Sequence, residues 1–280
     1  MLAGLPASPS TVAHAETDAI PAECITKTRI QPRTPGWAFV LNFDVFDGAN
    51  PRGCLMLFRV VYAPTDFMPV TCSRVGAVSF AGGKGTFTGG YVSCNVNIQG
   101  KLAALTPPAV VPAVDAYPYF TIIAAGTFST PASLNPLSNP IGVYAPNTTT
   151  VPGVGLYAPI RSAQSPQMIT LFNNLTSTSS VDIRIGPAYT LTVEHDGGPD
   201  VFTTTHYFDN AIAGQFAPRG PVRFFNNGGT FYAGVDPARP GETFRGTLDE
   251  VIFDPPDGGR PPLFASEQIL VFAPVTLTEP

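Results

Sequence analysis

Few residues in this chain could do acid–base or nucleophilic chemistry. There are three histidines, His14, His195 and His206, against 20 carboxylates and 15 Lys and Arg in 280 residues. No H-E-x-x-H pair, G-x-S-x-G elbow or G-x-x-x-x-G-K-[ST] loop occurs. His195 stands between Glu194 and Asp196 at the end of an apolar run, and His206 lies inside another. Both read as packing or surface residues rather than as a catalytic base. No catalytic residue is assigned, and the chain is expected not to be an enzyme.

Oxygen ligands are better represented. Asp196 opens the turn Asp196-Gly197-Gly198-Pro199, and Asp209 and Asp249 border or lie in strand-like runs further on. Calcium is the ion such carboxylates and loop carbonyls would suit, although no EF-hand-type loop is present and Asp is equally a turn residue. Tyr144, Tyr157 and Tyr207, with Tyr189 and Tyr232, are candidate platforms on which a sugar ring could stack; the alternative for each is core or hairpin packing. Asn147 and Asn174 open N-x-[ST] sequons.

The cysteines speak for an oxidising compartment. Cys24, Cys54, Cys72 and Cys94 show no C-x-x-C spacing, and no histidine lies among them, which argues against zinc. Four cysteines allow three connectivities. Two β-like runs, 73–81 and 86–93, flank the turn signal Gly82-Gly83-Lys84-Gly85, and folding about it sets Cys72 opposite Cys94. Cys24 then pairs with Cys54. Four buried free thiols are the alternative. Residues 1–15 end in Ala13-His14-Ala15, a small-x-small form followed by acidic residues, and read as the remnant of a signal peptide or as a disordered arm. The expected location is extracellular or at the cell surface.

Composition narrows the partners. With 12% charged residues, three lysines and a net charge of −5, the chain has no basic stripe for phosphates, so nucleic acid is not an expected partner. No apolar run is long enough for a transmembrane helix. The 27 glycines and 31 prolines punctuate short apolar runs, the pattern of many strands joined by many turns.

Helical periodicity is nearly absent, and the predicted architecture is all-β, an antiparallel jelly-roll-like β-sandwich in one or two domains. In residues 37–46 strict alternation sets Trp37, Phe39, Leu41, Phe43 and Val45 on one face and Ala38, Val40, Asn42, Asp44 and Phe46 on the other. A hairpin to 54–62 follows. The Pro-rich stretch 106–118 marks a connector between an N-terminal disulfide-bearing unit, 23–105, and a C-terminal sandwich, 119–280; strands lent by 23–105 to one large sandwich are the alternative. Residues 129–165 read as turns with one strand-like piece at 155–160, and strands resume from Met168.

One segment carries a family likeness. Phe244-Arg245-Gly246-Thr247-Leu248-Asp249-Glu250-Val251-Ile252-Phe253 resembles the closing phrase of laminin G-like, concanavalin A-like jelly rolls. Upstream, 205–210 resembles the family's strand and turn, with Asn210 where the family has Gly, and 230–234 resembles a strand with a terminal Gly. The likeness spans about 166–272, shorter than a whole family domain. It implies a secreted carbohydrate-binding or cell-adhesion module whose partner is a glycan or a cell-surface protein. Enzymes of that fold carry closely spaced carboxylates on one strand, and no such run occurs here. A self-assembling subunit of a surface layer, filament or coat is the second expectation, and a concanavalin-like glycosidase or lyase the third.

Overall fold

A computed structural model of the chain describes residues 20–27, 36–58, 64–96, 120–128, 139–146, 154–157, 167–172, 175–182, 188–197, 202–208, 211–216 and 229–254. Among the described residues a single 3₁₀ turn at Ala22–Cys24 is followed by sixteen strands: β1 Gly36–Asp47, β2 Asn50–Phe58, β3 Asp66–Ala81, β4 Lys84–Val96, β5 Phe120–Phe128, β6 Pro140–Pro146, β7 Val154–Tyr157, β8 Gln167–Phe172, β9 Leu175–Asp182, β10 Ala188–Gly197, β11 Phe202–Phe208, β12 Ala211–Phe216, β13 Gly229–Ala233, β14 Val235–Asp236, β15 Arg239–Thr243 and β16 Gly246–Asp254. Among the described residues no helix is long and apolar enough to cross a membrane.

The hydrogen-bonded order is β12-β11-β10-β5-β16-β1-β2-β3-β4-β13-β6-β7-β8-β9, antiparallel wherever strands pair. This ribbon folds into a jelly-roll-like sandwich. A front layer ends at β2, the long hairpin β3–β4 turns the corner, and a back layer runs from β4 to β9. At the far side β9 lies against β12. Between the layers Trp37, Phe39, Leu41 and Phe43 of β1 and Leu248, Val251 and Phe253 of β16 meet Val92 and Cys94 of β4, Phe231 of β13 and Tyr144 of β6. Rings bridge the gap directly: Phe39 to Phe231 at 5.2 Å, Tyr144 to Phe253 at 5.1 Å.

The domain boundary expected at 106–118 does not separate two sandwiches. β1 pairs with β16 and β4 pairs with β13, so 23–105 and 119–280 supply neighbouring strands of the same layers. The closing segment of the laminin G-like likeness is accordingly an interior strand, flanked by β1 and β5. Residues 1–15, the connector itself and both sequons' asparagines lie outside the described residues.

β1 is apolar on both faces because both are covered. Ala38 and Val40 point away from the main core into a second cluster with Cys24, Cys54, Met56, Phe58 and Ile252. The N-terminal segment 20–27 straps this outer face. The Cys24–Cys54 disulfide ties it to β2, Asn42 Nδ2 donates to the Ile25 carbonyl (2.8 Å), and buried Glu250 accepts the Lys27 backbone N–H at Oε2 (2.9 Å). Lys27 Nζ donates to the Gly83 carbonyl (2.9 Å) and pairs with Asp44 (3.0 Å). Gly82 and Gly83, at φ 57° and 73°, make the tight turn of the β3–β4 hairpin, where side chains would be strained. That hairpin sets Cys72 directly opposite Cys94, and the two are joined.

Replacing both Cys24 and Cys54 by Ser frees the strap and is expected to lower the unfolding free energy by about 3 kcal/mol. Urea denaturation of variant and parent measures this. An unchanged midpoint would mean that the Asn42, Lys27 and Glu250 contacts hold the strap without the covalent tie.

Candidate functional site

The outer face of the back layer is where the described residues combine aromatic and polar groups in the open. Alternation along β4 sends Val92, Cys94 and Val96 into the core, which turns Tyr91, Ser93 and Asn95 outward. On β13 the same rule buries Phe231 and Ala233 and turns Thr230 and Tyr232 outward. The register sets Tyr232 beside Ser93 and Thr230 beside Asn95. On the other side of β4, Ser73 lies beside Ser93 and Val75 beside Tyr91. The rings of Tyr91 and Tyr232 stand 6.2 Å apart at an interplanar angle of 55°. Both are half-buried, whereas Ser73, Val75 and Asn95 are exposed. These outward residues are uncharged, and their hydroxyl and amide groups can both donate and accept hydrogen bonds.

Tyr232 is held from the side, by residues on the same face of the neighbouring strands. It packs against Val143 and Tyr157. Tyr157 donates its hydroxyl to Asp236 Oδ2 (3.1 Å). Asp236, fully buried, also accepts the Ala238 N–H at Oδ1 (2.9 Å) and is paired with Arg239. Burial, with the Asp236 charge added, pushes the Tyr157 hydroxyl far above the ordinary tyrosine range, so it remains a donor. The β14–β15 ribbon thus locks the ring that flanks Tyr232.

The structure corrects two of the expected platforms. Tyr157 is fully buried and Tyr144 is 2% exposed, the latter stacked on Phe253 in the main core, so neither can meet a ligand in this state. Burial raises the Tyr144 hydroxyl as well. Tyr207 lies on β11, opposite Thr192 and Ile212; its side chain, like that of Tyr189, is outside the described residues. Tyr232 is the named tyrosine that the described structure leaves partly open. Its neighbour Tyr91 is missed by the sequence reading, although the alternation that pairs Cys72 with Cys94 already turns it outward.

Asp196 and Asp249 do not form a shared site. Asp249 sits on β16, and its charge is met by Lys84 (3.6 Å). Asp196 lies two strands away on β10. Glu250 is level with Ala125 and Ala125 with Thr190, so Asp196 is six residues, about 20 Å, further along the strand direction. One ion cannot bridge them. Asp209 lies outside the described residues, among which no group of three or more His, Cys, Asp or Glu could hold a metal ion. Glu250 has a structural task, as acceptor for the strap.

No protein-family model matches the sequence, and no curated protein matches it. Among solved structures the chain is similar to domain 4 of AbnA, a GH43 extracellular arabinanase from Geobacillus stearothermophilus, in complex with arabinotriose (12% identity over 66% of this chain and 82% of that chain, TM-score 0.41). It is similar to Trypanosoma rangeli sialidase in complex with sialic acid (15% identity, 80% of this chain but 31% of that chain, TM-score 0.46). It is also similar to the exoplasmic/lumenal domain of VIP36 in its Ca2+/Man2-bound form (11% identity, 68% and 83%, TM-score 0.39).

His206, on β11, is fully buried, and burial lowers its pKa to about 4. The unfolded chain protonates this histidine near pH 6.5. Between about pH 6.5 and 4 the unfolded state therefore binds the extra proton, and stability falls as pH falls through this window. The stability difference between parent and His206→Gln is expected to shift against the parent by up to about 3 kcal/mol from pH 7 to pH 4. Urea midpoints at the two pH values test it; a constant difference would show that His206 does not drive the acid response.

Proposed function

We propose that the chain is a non-catalytic extracellular binding module, laminin G-like in its closing strand, that engages carbohydrate on the open outer face of its back layer. The observation that carries this reading is the Tyr91–Tyr232 pair set among Ser73, Ser93, Asn95 and Thr230. A tyrosine offers a flat apolar surface with a polar tip, and a sugar offers C–H faces rimmed by hydroxyls. Side chains that both donate and accept match hydroxyls that do the same. The two disulfides support an oxidising, extracellular setting. Adhesion to glycosylated surfaces would follow from such binding.

On a glycan array the oxidised protein is expected to be retained by a restricted set of glycans, and the double variant Tyr91→Ala, Tyr232→Ala to lose that retention while keeping a cooperative thermal transition. Retention undiminished in the folded double variant would place binding on another surface. No retention of the parent on a broad array would overturn the carbohydrate reading.

A further inference from the structure

We infer that this face takes an internal stretch of a neutral polysaccharide chain, not an acidic glycan and not a chain terminus. The inference rests on the carbohydrate reading of the same face and names its ligand class.

Charge decides the first half. A uronate or sialate carboxylate is recognised best by the fork of an arginine or by a lysine, whose charge-assisted hydrogen bonds are about twice as strong as neutral ones. The outward residues Ser73, Tyr91, Ser93, Asn95, Thr230 and Tyr232 include neither. The arginine closest in sequence, Arg74, stands between Ser73 and Val75, so the pleat turns it to the opposite side. There it donates to the Val78 carbonyl (2.9 Å) and lies over the Phe80 ring (6.0 Å). Arg239, on the neighbouring ribbon, is engaged by buried Asp236. The net charge of −5 adds a general repulsion of anions.

Shape decides the second half. The platform crosses three adjacent strands, about 10 Å from Ser73 to Tyr232, and runs about 13 Å along β4 from Tyr91 to Asn95. Regular pleated strands form its floor, and Ser73, Val75 and Asn95 are exposed at its margins. A site that grips one terminal sugar encloses most of that sugar's surface in a concave pocket. An open sheet face instead touches one side of a ligand over several units. Affinity on such a face grows with the number of units in contact until the platform is filled.

The test is titration calorimetry of the oxidised full chain with two series. One holds unbranched neutral gluco-, manno- and xylo-oligosaccharides from mono- to hexasaccharide; the other holds oligouronates of the same lengths, at low and high salt. The expected result is binding of at least one neutral series that tightens with length, is insensitive to salt, and weakens roughly tenfold for each of Tyr91→Ala and Tyr232→Ala. A second variant, Asn95→Lys, at an exposed position that tolerates the change, should gain salt-sensitive binding of the oligouronates. Tyrosine-dependent binding of oligouronates by the parent would overturn the neutral assignment while leaving the carbohydrate reading intact. Binding as tight for the monosaccharide as for the hexasaccharide would overturn the internal-chain assignment. Binding of neither series, with an empty glycan array, would remove both inferences together.

Discussion

The sandwich closes on one strand. Gly246–Asp254 pairs with β5 along its length, with β1 through residues 250–253, and with β4 through residues 246–248. It is the piece that joins front-layer strands from both ends of the chain to the corner hairpin. A bulge between Leu248 and Glu250 gives it two working faces. Leu248, Val251 and Phe253 enter the main core, and Glu250 and Ile252 face the N-terminal strap. Gly246, at φ 146°, passes so close to the Thr127 carbonyl that no larger residue fits. Since β1 and β16 are some 200 residues apart in sequence, their pairing is made at a large entropic cost of loop closure, and the core of aromatic rings must offset it.

The two outer faces then meet opposite fates. The front layer's outer face is apolar, with Ala38, Val40, Met56, Phe58 and Ile252 in one patch, and left bare it would invite association. The chain covers it with its own residues 20–27 and fixes the cover by a disulfide and a buried carboxylate. The back layer's outer face needs no such cover near β3, β4 and β13, because alternation there has placed hydroxyls, an amide and two tyrosine rings outward. The proposed binding face is the one that the fold can leave open.

Much of this is legible before the structure. The two-sided apolar run of β1, the glycine turn of β3–β4 and the opposition of Cys72 to Cys94 all follow from local rules of alternation and turn chemistry. What local rules miss is of two kinds. β6, β9 and β12 carry weak signals: β6 is bounded by Pro140 and Pro146, β9 is a Thr/Ser run, and β12 is interrupted by Gly214. Their strand character comes from pairing partners far off in sequence. The second kind is burial. Tyr144 and Tyr157 look alike in sequence to Tyr232, and only the stacking of layers and the ribbon over β7 decide which ring remains open. The proline-rich connector misleads for the same reason, since composition marks a stiff segment without saying whether strands on its two sides share a sheet.

The open face and the closing strand are also mechanically linked. Residues 229–254 run without a break through β13, the β14–β15 ribbon and β16. They supply Tyr232, then Asp236, which fixes Tyr157 beside it, then the strand that closes the front layer. Gly234 donates to the Ile141 carbonyl of β6 (3.2 Å) and accepts from Phe244 (2.8 Å), which ties the base of the ribbon to the back layer. Buried Asp236 is satisfied by three donors, the Ala238 N–H, the Arg239 guanidinium and the Tyr157 hydroxyl. If the ribbon lifted, that carboxylate would lose its Tyr157 partner and Tyr232 would lose its lateral support. The placement of Tyr232, one ring of the Tyr91–Tyr232 pair, is therefore set by the same 26-residue stretch that completes the fold.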